Sequence, residues 1–197
     1  MDMEQGIRDL VKKNRSYRRF HEQRPIARET IIGLVDIARF CPSSRNRQPL
    51  RYIVSTDPEE TVKIRSCLLF ALDLPDWGGP PEGERPVAYV TMVTEGACTP
   101  FTAYDAGIAA QTIMLAAAEQ GIGGCMVGSI KKEELRSVLS IPDGYEIHLV
   151  LAFGYPAEQV VLETVGSDGN TKYWRDAGGT HHVPKRSLKE VLIRDQV

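Results

Sequence analysis

The stretch 104-YDAGIAAQTIMLAAAEQG-121 decides the fold, because it has the length of a helix and almost no face for water. Between Ala106 and Ala118 only Gln111 and Thr112 are polar. A helix without a wide polar stripe has to be enclosed on all sides. Enclosure comes from a central position inside one chain or from a second subunit, and a chain of only 197 residues favours the second.

Before this helix, 4-EQGIRDLVKK-13 places Ile7, Leu10 and Val11 at amphipathic helix spacing, and 29-ETIIGLVDIARF-40 predicts another helix that stops at Pro42. Strands are predicted at 50-LRYIVST-56 and, fully buried, at 87-VAYVTMVT-94, with a helix over about 57–71 between them. The segment 72-LDLPDWGGPPEGERP-86 has four prolines and three glycines and reads as a lid or a surface connection. After the central helix come a short strand at 124-GCMVG-128, a helix at 131-KKEELRSVLS-140 and a strand at 145-YEIHLVLAFG-154. Helices interleaved with about four strands predict one mixed α/β or α+β layered domain over residues 1–197. Beyond Tyr155 the chain reads as irregular. The run 165-VGSDGNTKYWRDAGGTHH-182 is too polar to build a core, yet it holds Tyr173 and Trp174. A tail of this kind, about 156–197, is expected to wrap a neighbouring subunit.

Composition narrows the function. A formal charge of −2 gives no whole-molecule attraction to nucleic acid or to an anionic membrane. No window approaches the roughly 18 apolar residues of a membrane span and the N-terminus lacks a secretory core, so a cytoplasmic protein is expected. The four cysteines, Cys41, Cys67, Cys98 and Cys125, form no CxxC pair and are expected to be free, mostly buried thiols. Adjacent His181 and His182 point apart in an extended segment, so no metal is expected. The run 123-GGCMVGS-129 has P-loop glycine spacing but carries Ser129 where that loop needs lysine. GxGxxG after a strand, GxSxG and HExxH are absent.

Three polar clusters remain. In 14-NRSYRRF-20, Asn14, Arg15, Ser16 and Arg18 supply cations, a hydroxyl and an amide suited to a phosphate, while Arg19 reads as facing water. The segment 42-PSSRNRQP-49 supplies Ser43, Ser44, Asn46 and Gln48, and 182-HVPKRSLKEV-191 adds Lys185 and Arg186. Each alone also fits an ordinary solvated surface. Together they suit a ligand with a charged end and a planar polar end.

In order, RSYRRF, PSSRNRQPLRYIV, the alanine-rich helix running into GIGGCMVG, then FGYP and PKRSLKEV resemble the FMN-dependent nitroreductase family from about Ile7 to Val191. The resemblance implies an α+β nitroreductase-like fold with a central, mostly antiparallel sheet flanked by helices. It also implies an intertwined homodimer with two FMN sites at the interface. Arg15, Ser16 and Arg18 would hold the phosphate and ribityl end, and Lys185 and Arg186 would close on the same phosphate. Ser43, Ser44, Asn46 and Gln48 would come from the other subunit, and the backbone at Gly123 and Gly124 would lie close to the isoalloxazine. Many members carry arginine where this chain has Asn14. Gln111 is read from the helix itself, as a buried glutamine that needs either the cofactor or a neighbouring backbone as partner.

The implied activity passes electrons from NADH or NADPH through FMN N5 to a nitroaromatic, quinone or similar small oxidant by a ping-pong mechanism, with no catalytic side chain. Substrate choice would rest on the 72–86 loop with Trp77, Tyr104 and Trp174. The alternatives are reductive dehalogenation, flavin fragmentation, or flavin binding without turnover.

Overall fold

The computed structural model describes residues 3–74, 76–96 and 98–194 and divides into two compact units. The first comprises residues 1–70 and 79–157, the second residues 71–78 and 158–197.

In the first unit, α1 (Met3–Lys13) and α2 (Arg28–Ala38) precede β1 (Leu50–Ser55), α3 (Pro58–Ser66) and β2 (Ala88–Glu95). Then follow α4 (Pro100–Glu119), β3 (Gly123–Val127), α5 (Lys132–Leu139) and β4 (Tyr145–Gly154). The four strands form one antiparallel sheet in the order β1-β2-β4-β3. Ala88, Val90 and Met92 of β2 enter a core with Leu151 and Phe153 of β4, Ile31 and Leu34 of α2, and Ala110 and Ile113 of α4. Tyr89, Thr91 and Val93 point the other way and are buried too. This explains why β2 reads as a continuous apolar run rather than an alternating one.

Several boundaries differ from the sequence expectation. Helix α3 ends at Ser66 instead of continuing to residue 71, because Leu68 bridges to Ile130 and Ala71 sits at φ 48°, outside helical space. Its start was readable: Asp57 accepts the Glu60 N–H at 3.0 Å, with Pro58 in the first turn. Helix α4 begins at Pro100, four residues before Tyr104, under a capping box between Thr99 and Thr102. Residues 79–86 are tied down by Arg65, which donates to the Pro80 carbonyl at 2.9 Å, and by Glu22, which accepts from the N–H groups of Gly83 and Arg85.

Within one chain α4 is not enclosed on all sides, so of the two alternatives only enclosure by a second subunit stays open. Phe101, Tyr104 and Ile108 are 60%, 66% and 43% exposed, and Gln111 continues the same stripe at helical spacing. Gln111 is therefore exposed, not buried. Ala109, Ala110, Ala116 and Ala117 occupy the inward faces. The four thiols form no disulfide, as expected, and Cys67 and Cys125 are buried, but Cys41 is half-buried and Cys98 is exposed.

The second unit is not irregular. β5 (Val160–Thr164), β6 (Trp174–Arg175) and β7 (His181–Lys185) form a sheet in the order β5-β7-β6, with β5 and β7 parallel. A four-residue helix, α6 (Leu188–Val191), follows. The β-branched residues of 160-VVLET-164 carried the strand signal. His182 stacks on Trp174 with ring centroids 4.0 Å apart, and its two nitrogens face Glu163 and Asp176. Among the described residues no helix is long and apolar enough to cross a membrane.

Candidate functional site

The basic cluster follows α1 and runs beside the end of the sheet. Ser16 bridges Gly124 in parallel, and the Tyr17 N–H donates to the Gly124 carbonyl at 2.9 Å. This brings residues 14–17 to β3 and to the middle of α4. Asn14, Arg15 and Ser16 line one open pocket of about 220 Å³ with Gln111, Met114 and Met126. Two segments nearly one hundred residues apart in sequence thus share a wall.

The arginines divide by environment. Arg15 donates from Nη2 to the Val11 carbonyl at 2.6 Å, where the carbonyl end of α1 favours a cation. Its Nε is buried and meets no hydrogen-bond acceptor among the described residues, and burial pushes its pKa down. An anion in the pocket would oppose that shift and satisfy the nitrogen. Arg18 is buried, donates to the Ser16 carbonyl at 3.3 Å, and is not among the lining residues of this pocket. Arg19 does not face water: it grips the Glu84 carboxylate with two nitrogens, one at 2.6 Å. This bidentate pair answers why the sequence crowds three arginines, since each has its own partner or pocket.

Gly123 and Gly124 sit where the backbone must pass close to other atoms. A Cβ on Gly124 would stand 2.7 Å from the Ala152 carbonyl oxygen and 2.8 Å from Met114 Cε. On Gly123 it would meet Pro156 at 2.6 Å and the Tyr17 ring at 2.8 Å. Protein packing therefore accounts for both glycines.

The second cluster has a different character. Arg45, Asn46 and Gln48 adopt φ of 54°, 53° and 48°, a left-handed conformation that L side chains rarely take. Ser43 Oγ accepts the Gln48 N–H at 3.0 Å, and Gln48 Nε2 donates to Asn46 Oδ1 at 3.2 Å, so the site side chains hold one another. The loop is anchored by the buried Asp105 of α4, which accepts the Ser44 N–H at 2.9 Å. Strain concentrated in a clamped polar loop is a mark of functional sites. Asp105 was not anticipated from sequence, although an acid opening an apolar helix was the available signal.

Ser43 and Gln48 line a pocket of about 140 Å³ and Ser44 one of about 430 Å³, both bordered by Asp105, while Asn46 is in the wall of neither. Asp105 and Gln111 are six residues apart on α4, roughly 9 Å along its axis and on different faces. One chain therefore presents the two clusters on different sides of the same helix. Lys185 and Arg186 belong to the second unit and are exposed, and Arg186 faces Glu190 at 3.7 Å.

The fold is that of a known class. A provisionally assigned nitroreductase from Desulfovibrio desulfuricans, solved in complex with FMN, superposes with a TM-score of 0.71 over 97% of each chain at 18% identity. The family model for the nitroreductase family matches residues 11–89 and 87–155, and this chain belongs to that family. Among its relatives, a provisionally assigned NADH dehydrogenase/NAD(P)H nitroreductase from Archaeoglobus fulgidus is 28% identical over 72% of this chain and 80% of its own length. The iodotyrosine deiodinase of Thermotoga neapolitana is 26% identical over 75% of this chain and 87% of its own length.

Proposed function

We propose that this nitroreductase-family oxidoreductase binds FMN and passes electrons from NADH or NADPH to a small oxidant such as a nitroaromatic or quinone. The carrying observation is the pocket where Arg15, Ser16 and Asn14 meet Gln111, with the Arg15 Nε buried and unsatisfied. A doubly charged phosphate suits that donor set. Arg15 and Ser16 hold the phosphate by charge-assisted and hydroxyl hydrogen bonds, while the buried Arg18 adds positive potential behind them. Gln111, exposed on α4, offers an amide to the ribityl chain or ring. When bound, FMN supplies the two-electron relay, so no side chain has to act as nucleophile.

The exposed stripe of Phe101, Tyr104 and Ile108 supports a homodimer in which a second copy covers α4. In that dimer Ser43, Ser44, Asn46 and Gln48 of each chain serve the site of the other, and the strained loop presents their polar groups in a fixed geometry. Lys185 and Arg186 enter the proposal from the family resemblance alone.

The test compares FMN with riboflavin, which lacks the phosphate. Arg15→Ala should weaken FMN binding roughly tenfold to a hundredfold and leave riboflavin binding unchanged. Equal FMN affinity in variant and parent would discard the phosphate assignment. Stopped-flow mixing of the flavin-loaded protein with NADH and with NADPH tests turnover: if neither bleaches the flavin band, flavin binding without turnover is the better reading. The deiodinase relative favours one second reading, reductive loss of halide from a haloaromatic, which halide release under anaerobic turnover would reveal.

A further inference from the structure

A second group of reactive side chains lies within the first unit and is independent of the flavin proposal. Strand β2 pairs with β4 so that Met92 faces Leu149 and Val93 faces Ile147, leaving His148 as the extra residue of a β-bulge. Bulges of this kind re-aim a side chain. Here the His148 ring sits between two groups: Nε2 lies 2.7 Å from Oγ1 of the buried Thr94, and Nδ1 lies 3.6 Å from Sγ of Cys98. Cys98 is exposed, beside the capping residue of α4. A nucleophile, a base within hydrogen-bond reach and a third group orienting that base form the arrangement that activates thiols in general.

We propose that Cys98, His148 and Thr94 form a thiol-exchange site that takes low-molecular-weight disulfides and carries a mixed disulfide on Cys98. In the tautomer that donates Nε2–H to Thr94, the Nδ1 lone pair faces the thiol. The Sγ proton passes to Nδ1, and the thiolate attacks one sulfur of the small disulfide. A protein–ligand S–S bond forms as the original S–S bond breaks, and the departing thiolate takes the proton back from the imidazolium. One thiol and one disulfide stand on each side, so no further oxidant is required. Burial, and then Lys132 at the start of α5, push the His148 pKa down, while Glu146 on β4 opposes them. The ring is thus held neutral near neutral pH with its Nδ1 lone pair open to the thiol, and the thiolate formed beside it offsets the cost of charging the ring. Cys67 and Cys125 are buried and cannot compete, and the half-buried Cys41 Sγ already faces Thr112 Oγ1 at 3.1 Å.

The probe is an aromatic disulfide whose released thiolate absorbs visible light, followed under pseudo-first-order conditions across the pH range, with intact-mass and peptide mapping after oxidised glutathione. The parent should show one fast phase and a single glutathione adduct on the Cys98 peptide. Cys98→Ser should remove both. His148→Gln should slow the fast phase at least about tenfold near neutral pH and shift its pH profile toward that of an ordinary thiol. Thr94→Val should slow it less, and Thr94→Ser should restore it, as expected of a positioning residue. A fast phase that survives in Cys98→Ser overturns the proposal. So does an unchanged rate and pH profile in His148→Gln protein with unchanged circular dichroism.

Discussion

The two polar clusters of the first unit are built by opposite means. Residues 14–17 are joined to the sheet by backbone contacts at Gly124 and show no left-handed residue, so their position is set by the fold itself. Residues 43–48 hold three left-handed residues and depend on one buried carboxylate, Asp105. The first region is rigid because its backbone has little choice. The second is rigid because side chains oppose its preferred conformation. The proposed cofactor site, which would need both a fixed anion hole and well-placed amides, has use for each kind of construction.

The largest expected effect breaks the first region. Gly124→Val drives a side chain into the Ala152 backbone carbonyl, which cannot retreat as the flexible end of Met114 can, and should cost about 3 kcal/mol or more in a urea titration. Asp105→Ala removes the anchor of the second region and leaves the Ser44 N–H unsatisfied. The expected loss is about 2 kcal/mol, with Asp105→Asn, which keeps an acceptor, losing less. Relief of strain should act in the opposite direction. Arg45→Gly accepts the 54° φ freely, and after its own entropy cost it should stabilise the protein by about 0.5 kcal/mol, seen as a small rise in Tm.

The smallest effect comes from the second unit and serves as a control for both regions. Hydrogen bonding, first from Glu163 and then from Asp176, raises the His182 pKa above its ordinary value, against the opposing effect of burial. A raised folded-state pKa contributes stability that is present below the unfolded value near 6.5 and lost as pH rises through the folded value. Tm should therefore fall slightly over that window. His182→Gln should flatten this part of the profile without altering either polar cluster.

Much of the first unit was legible because its strands and helices carry strong periods: 145–154 matched a strand residue for residue, and 87–94 read as a strand buried on both faces. The end of α3 was not legible, since it depends on Leu68 finding Ile130, a tertiary contact. Clustering of Asn14, Arg15 and Ser16 was foreseen. Gln111 was expected to be buried and is exposed, because an apolar run does not reveal which stripe the neighbours leave open. Arg19 was misread because its partner, Glu84, is sixty-five residues away and only the folded chain joins them. His148 carried no sequence signal at all, because a bulge is a property of register between two strands.

β3 is an outer strand, and the Ser16–Tyr17 backbone occupies its open side at Gly124. The segment that lines the pocket therefore also caps a row of hydrogen-bonding groups that would otherwise recruit a strand from another molecule. Loosening it should expose that edge, and light scattering on heating should rise before the sheet itself melts.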